Sequence, residues 1–445
     1  MSTYFRSTLF VSLLILLSAP VVRAQQWMDP ADADPCPVQR RLTTDAGLYE
    51  RAGKGSSSDG LLVEFYTTSP TIRVRITADG AISSGIDLFA TDCDGVTRPC
   101  RETMVAGDLI TFSKPETKST HKYGDRCRLY LPLGVTVTSL QVGVDEGAYF
   151  DWLPDRVERP ILVCLPAERG MSPSKTRAAR LERELDIPVI AVPEGLSKEE
   201  MMKSRPRLIL TSEAKDLASE AREALGLPTK WVCPPVTQSR DRESYVWERR
   251  HNEVILRNRT AKPSVLVLGN SIMHYWSGLP ASQHHRGDDS WSKLFGDRVV
   301  TNMGFGWDRI ENLNWRLTHG ELDDCDPEVI LLAIGTNNLS AGDDNQHIAL
   351  GIAETATLIR RMKPKARLYV LGVLPRKDMM SRIRPLNMLT ESLISVIPGA
   401  TFIDVSEGLT EDGKLIDALF RDGLHPNADG YRILGDNIAR RVDLG

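Results

Sequence analysis

Short runs in which apolar and polar positions alternate fill residues 25–155. They include Leu61-Leu62-Val63-Glu64-Phe65, Thr71-Ile72-Arg73-Val74-Arg75-Ile76, Ile86-Asp87-Leu88-Phe89, Leu129-Tyr130-Leu131 and Ser139-Leu140-Gln141-Val142-Gly143-Val144. Clusters of Gly, Asp and Pro separate them, and a period of two broken by turn residues predicts a β-sandwich or jelly roll. Residues 156–239 change character. Continuous apolar runs (Ile161-Leu162-Val163-Cys164, Val189-Ile190-Ala191-Val192, Leu208-Ile209-Leu210) alternate with helical stretches at 175–185 and 213–225, which predicts a small parallel α/β layer. Residues 240–445 repeat that alternation on a larger scale. Strands are expected at Val265–Leu268, Val299–Asn302, Val329–Ile334, Leu368–Val373 and Thr401–Asp404, each followed by a turn and then by helical periodicity. The fold class expected for this part is a doubly wound parallel sheet, where ligands bind beyond the carboxyl ends of the strands.

The first 24 residues fit none of these layers. Arg6, the apolar run Leu9–Leu17 and the small residues of Val22-Arg23-Ala24 have the form of a signal peptide cleaved after Ala24, so a secreted or periplasmic protein without stable membrane insertion after cleavage is expected. The 445 residues carry 41% hydrophobic and 26% charged side chains and a formal charge of −4, a balance that gives no reason to expect nucleic acid as a partner. Export permits disulfides among the seven cysteines. Cys93 and Cys100 flank a turn and are a candidate hairpin bridge, Cys36 with Cys127 a second, while Cys164 and Cys325 read as buried or free thiols. No Cys/His spacing suggests zinc.

Chemistry gathers where the strands of 240–445 end. The turns hold Gly269-Asn270-Ser271, Asn302-Met303-Gly304-Phe305-Gly306 and Gly335-Thr336-Asn337-Asn338, and the C-terminal segment holds Asp422-Gly423-Leu424-His425-Pro426. A serine hydroxyl needs a base to become a nucleophile. A histidine oriented by a carboxylate is the usual base, and acyl transfer then needs donors for an oxyanion. Ser271 is the candidate nucleophile, His425 the base and Asp422 its orienting carboxylate. The Ser271 and Gly304 N–H groups and the Asn337 side-chain amide are the candidate oxyanion donors.

These four blocks, in this order, resemble those of the SGNH (GDSL-like) hydrolase family over roughly residues 240–445. Gly269-Asn270-Ser271-Ile272 stands where the family has Gly-Asp-Ser-Leu, Gly304 matches its second-block glycine, Gly335-Thr336-Asn337-Asn338 matches Gly-x-Asn-Asp, and Asp422-Gly423-Leu424-His425 matches Asp-x-x-His. The stretches Gly304–Arg309, Trp315-Arg316-Leu317 and His319-Gly320-Glu321-Leu322 are most similar to the branch that includes the catalytic subunits of platelet-activating-factor acetylhydrolase. Gly85-Ile86-Asp87-Leu88-Phe89 resembles the Gly-x-Asp-Leu-Tyr motif of a β-domain found upstream of such hydrolases, which accompanies enzymes thought to act on glycans. The resemblance implies a serine esterase for small acyl esters, with no metal or organic cofactor and a small-molecule or glycan ester as substrate. Acetyl groups on carbohydrate are the first expectation. A lipid acyl hydrolase, or a non-catalytic glycan-binding protein on a vestigial hydrolase core, is the alternative.

Other residues have plainer readings. His274 is a rival base, expected on the following helix and pointing away. His284-His285 with Asp288-Asp289 reads as a solvated loop rather than a metal site. Trp276, Trp307, Asp308 and Arg309 are expected near the mouth. Asn258-Arg259-Thr260 is a formal glycosylation sequon. Pro160–Glu168 can be laid against Pro263–Ser271, which puts Glu168 at the nucleophile position. The segment 156–239 is then either a reduced SGNH-like unit or an unrelated parallel layer. Oligomeric state is not legible.

Overall fold

A computed structural model describes residues 25–30, 38–39, 60–117, 122–166, 168, 170–192, 195–211 and 216–445. The expected signal peptide and Cys36 lie outside these residues. Among them, no helix is long and apolar enough to cross a membrane.

The N-terminal layer is an antiparallel sandwich. One sheet runs in the order 25–28, 137–145, 71–78, 109–113, 101–106, and the other 150–152, 62–67, 125–130, 87–91, 97–99. Alternation explains the facing sides: Ile72, Val74 and Ile76 of one sheet and Val63, Phe65 and Leu129 of the other share a core. The second sheet departs from simple alternation, because strands Leu62–Thr67 and Asp125–Tyr130 are buried on both faces. Their outer face carries Glu64, Arg126 and Arg128, which pair with one another and with Asp186 of the next layer. Burial opposes ionisation of Asp186, yet Arg126, Arg156 and Arg128 hold its carboxyl well below the usual range. The Asp87 carboxylate accepts from the Ser172 hydroxyl and, at 2.8 Å, from Ser174 N–H, so the Gly-x-Asp motif ties the sandwich to the middle layer.

The hairpin disulfide is not made. Cys100 N–H bonds Leu88 O, and its side chain enters the sandwich core as a thiol, whereas Cys93 sits in the turn. Cys127 is likewise a buried thiol. Burial pushes the Cys100 thiol up to about 12.

The middle layer is a three-stranded parallel sheet with Ile161–Cys164 between Val189–Val192 and Leu208–Leu210. Glu168 follows the strand Ile161–Cys164. It accepts from Arg177 N–H at 2.8 Å and pairs with the Arg177 guanidinium at 3.1 Å, at the start of helix Arg177–Leu185.

The third layer is the expected doubly wound sheet. Its strands are β1 (Val265–Gly269), β2 (Val300–Gly304), β3 (Val329–Ala333), β4 (Arg367–Leu371) and β5 (Ala400–Ile403), all parallel, in the order β2-β1-β3-β4-β5. The helices are α1 (Trp247–Ala261), α2 (Ser271–His274), α3 (Asp288–Phe295), α4 (Ile310–Arg316), α5 (Thr336–Ala341), α6 (Asn345–Met362), α7 (Met380–Ile394) and α8 (Ala428–Arg441). Strand alternation feeds two cores: Leu266, Leu268, Ile330 and Leu332 pack with α1, α4, α6 and α7, and Val265, Val267, Val329 and Leu331 pack with α2, α3 and α8. Gly269 is in register with both Gly304 and Ala333. The three strands therefore end level, and the turns after them share one edge.

Candidate active site

Ser271 is the first residue of α2, directly after β1. Asn270 caps that helix: its Oδ1 accepts Ile272 N–H at 2.9 Å, and its Nδ2 reaches Ala333 O at 3.5 Å. An amide serves both contacts, where a carboxylate would serve only the first. From the other end of the chain, Asp422 folds its own segment. Its Oδ1 accepts Leu424 N–H at 3.0 Å and His425 N–H at 2.8 Å, with Gly423 turning through φ = 73°. Its Oδ2 meets His425 Nδ1 at 2.7 Å, and His425 Nε2 lies 2.8 Å from Ser271 Oγ. Partial burial works against the Asp422 charge, but the His425 N–H, the His425 ring and Leu424 N–H outweigh it and lower its pKa. With Nδ1 donating to the carboxylate, Nε2 is left as the acceptor for a hydroxyl proton. Tyr275 packs its ring 5.3 Å from the His425 ring. The sequence offered no signal for that contact.

His274 is not at the surface of α2. It is buried, its Nδ1 accepts Gly306 N–H at 3.1 Å, and it packs against Tyr245. Burial, with Arg250 nearby, drives its pKa well below the usual value, so it props the turn after β2 as a neutral ring. His285 pairs with Asp288 at 2.9 Å on the surface.

Gly304 needs a correction. Its N–H already donates to Asn302 Oδ1 at 2.8 Å, so it is not an available oxyanion donor. Its absent side chain matters instead: a Cβ there would lie 2.2 Å from His274 N and 2.6 Å from Met273 C, inside the backbone of α2. Gly304→Ala is expected to cost about 3 kcal/mol or more and to displace Ser271, so urea unfolding and esterase rate should fall together. In the same turn the N–H groups of Phe305, Gly306 and Asp308 are all bonded within the protein. That of Trp307 has no such partner among the described residues, and Trp307 stands in the left-handed region at φ = 66° with its ring half-exposed. Trp276, by contrast, is core. Asn337 spends one side-chain N–H on Asp308 O at 2.9 Å and keeps the other. Asn338 is structural, bonding Ile310 N–H, Glu311 and Asp343.

Beneath this turn lies a buried ionic chain. Asp308 takes Trp247 Nε1 at 2.8 Å and Arg316 Nε at 2.8 Å, Arg316 also pairs with Glu321, and Glu321 meets His251 at 2.9 Å. Asp308, Arg316 and Glu321 are all fully buried. The motifs around Trp315-Arg316 and Gly320-Glu321 thus anchor the turn that carries Trp307 and the Asn337 acceptor.

A parallel sheet carries a serine, a histidine and a carboxylate hydrogen-bonded in line at its C-terminal edge, an arrangement suited to acyl transfer. Residues 267–433 match the GDSL-like Lipase/Acylhydrolase family, and residues 52–150 match the GxDLY family, described as the N-terminus of SGNH-hydrolase-type esterases. Platelet-activating factor acetylhydrolase IB subunit alpha2 of Rattus norvegicus is 30% identical over 190 residues, 42% of this chain and 78% of that protein. The alpha1 subunit of Homo sapiens is 28% identical over 190 residues, with 42% and 78% covered. Among solved structures, a putative platelet activating factor from Streptococcus pneumonia aligns with 22% identity and a TM-score of 0.37, covering 43% of this chain and 91% of that one. The chain belongs to the GDSL-like lipase/acylhydrolase family and is a carboxylic ester hydrolase.

Proposed function

We propose that Ser271, His425 and Asp422 are the catalytic triad of an exported esterase that removes acetyl groups from carbohydrate. The observation that carries the triad is the unbroken relay from Asp422 Oδ2 to His425 Nδ1 at 2.7 Å and from His425 Nε2 to Ser271 Oγ at 2.8 Å. His425 Nε2 takes the hydroxyl proton as Oγ bonds to the acyl carbon. The carbonyl electrons move to oxygen, and His425 returns the proton to the departing alcohol. Water, deprotonated by the same nitrogen, then releases the acid and restores Ser271. Three donors without a partner among the described residues suit the oxyanion: the Ser271 N–H, the second N–H of Asn337, and the Trp307 N–H in place of Gly304.

An acetyl group is supported by the acetylhydrolase names of the relatives. Carbohydrate is supported by the half-exposed Trp307 ring in the turn after β2, by the openness of the edge, where the Asp422 side chain is 54% exposed, and by the GxDLY domain upstream. Export rests on the leader pattern of residues 1–24. Those same relatives' names also motivate a phospholipid acetyl ester as the second reading. An acetate-release screen decides between them: acetylated xylan and other acetylated glycans should be turned over, and a phospholipid acetyl ester should not. The reverse result would overturn the carbohydrate assignment. Failure of a fluorophosphonate probe to label the protein would sink the triad itself.

A further inference from the structure

A cleft of about 1010 Å³ opens where the three layers meet, and it includes neither Ser271, Asp422 nor His425. The sandwich contributes Arg126 and Arg128, the middle layer Arg183 and Arg222, and the hydrolase layer His319 and Arg361. Its volume is at the upper end of small-ligand sites. Most of its carboxylates are already spent. Asp186 holds Arg126, Arg128 and Arg156, and Glu184 holds Arg222 at 2.7 Å.

Several polar groups of the wall are not satisfied. Arg183 Nη1, Arg126 Nε and His319 Nε2 are buried without a hydrogen-bond partner. Arg183 stacks its guanidinium 4.5 Å from the Phe89 ring centroid and 5.3 Å from that of Tyr130, and among the described residues no carboxylate pairs with it. Among the described residues, Arg361 bonds the Gly226 carbonyl and no carboxylate. His319 is 2% exposed, and its Nδ1 is engaged by Trp315 O and Thr318 Oγ1. Burial holds its pKa down to about 4, so the ring is neutral, with the proton assigned to Nδ1 and Nε2 left as an acceptor. Each buried group left unpaired costs about 1–3 kcal/mol.

The wall therefore calls for two kinds of atom at once. The arginines need anionic oxygen acceptors, and His319 Nε2 needs a donor. A simple inorganic anion such as sulfate supplies only the first, and a neutral sugar leaves Arg183 and Arg361 without a counter-charge. A sugar acid supplies both: its carboxylate suits a guanidinium and its hydroxyls donate. We propose that this cleft is a second carbohydrate site, specific for a saccharide bearing a carboxylate and separate from the acyl-transfer site. Because all three layers line it, an occupied cleft bonds them to one another through the ligand. The triad assignment is not needed for this inference.

The test is titration calorimetry on the full chain with digalacturonate, with xylobiose and sodium sulfate as comparisons. Digalacturonate should bind saturably, and Ser271→Ala should bind it as tightly as wild type. Arg183→Met, which keeps an apolar stem over Phe89 and Tyr130, should weaken binding at least tenfold. If that variant melts early, the exposed Arg361→Ala should weaken binding in its place. No saturable binding of digalacturonate, unchanged affinity in both arginine variants, or equally tight xylobiose binding would overturn the proposal. Full displacement of digalacturonate by equimolar sulfate would overturn it too, leaving a simple anion site. Loss of binding in Ser271→Ala would place the ligand at the acyl-transfer site and likewise overturn it.

Discussion

Ser271→Ala should lower kcat on p-nitrophenyl acetate by about 10⁴- to 10⁶-fold, the range seen when a serine hydrolase loses its nucleophile. In the proposed triad the hydroxyl forms the covalent bond, so without it the proposed oxyanion donors would give only residual rate enhancement. Ser271 is 5% exposed and its side chain makes no contact within α2 that the fold needs, so the variant should melt like wild type. His425→Ala should cost about as much, and the double variant little more, since the two act as one unit. For Asp422 the cleaner substitution is Asn. An Asn oxygen can still accept from Leu424 and His425 N–H, so the turn survives while the ring loses the charge that selects its tautomer. Retention of more than a tenth of the wild-type rate in Ser271→Ala, in a preparation free of other esterases, would show that another nucleophile does the chemistry.

The second large effect is expected far from any substrate. Arg316→Met keeps the side chain's approximate length but removes the only cation between Asp308 and Glu321. All three are fully buried, and breaking such a pair strands its partners, at a cost of about 3–5 kcal/mol. Burial already pushes the Asp308 pKa up against the pull of Arg316, so without the guanidinium Asp308 should take up a proton. The loss should appear as a lower urea midpoint. It should also reach the chemistry, because the Asp308 carbonyl orients Asn337 and Trp307 precedes it. A fall in kcat at little change in KM is the expected kinetic sign. An unchanged midpoint would mean that the chain Asp308–Arg316–Glu321 contributes nothing net to stability.

The chemistry of the site was more legible than its support. The contact of Ser271 with the Asp422–His425 pair was foreseeable, because strand-ending turns expose their side chains by rule, and because an Asp-x-x-His spacing lets one carboxylate hold both backbone and ring. Gly304 was misread for a physical reason. A glycine beside a nucleophile can serve either by its free N–H or by its missing Cβ, and only coordinates show that Asn302 has taken the N–H. Trp307 was expected near the mouth, but not its backbone geometry, because a left-handed backbone is ordinarily signalled by glycine, and here a tryptophan adopts it.

By itself the sequence determined the three-layer order, the strands of the doubly wound sheet and the identities of the nucleophile, base and acid candidates. All of these follow from period, turn residues and short-range spacing. The tertiary structure alone decided which N–H groups stay free around Ser271, that His274 is a buried prop rather than a rival base, and that Glu64, Arg126 and Arg128 are buried and Asp186 partly buried between layers instead of solvated. Most of those outcomes depend on partners far away in the chain, such as Gly306 for His274 and Asp186 for Arg126. A charged residue on an alternating strand reads as solvent-facing until another layer covers it.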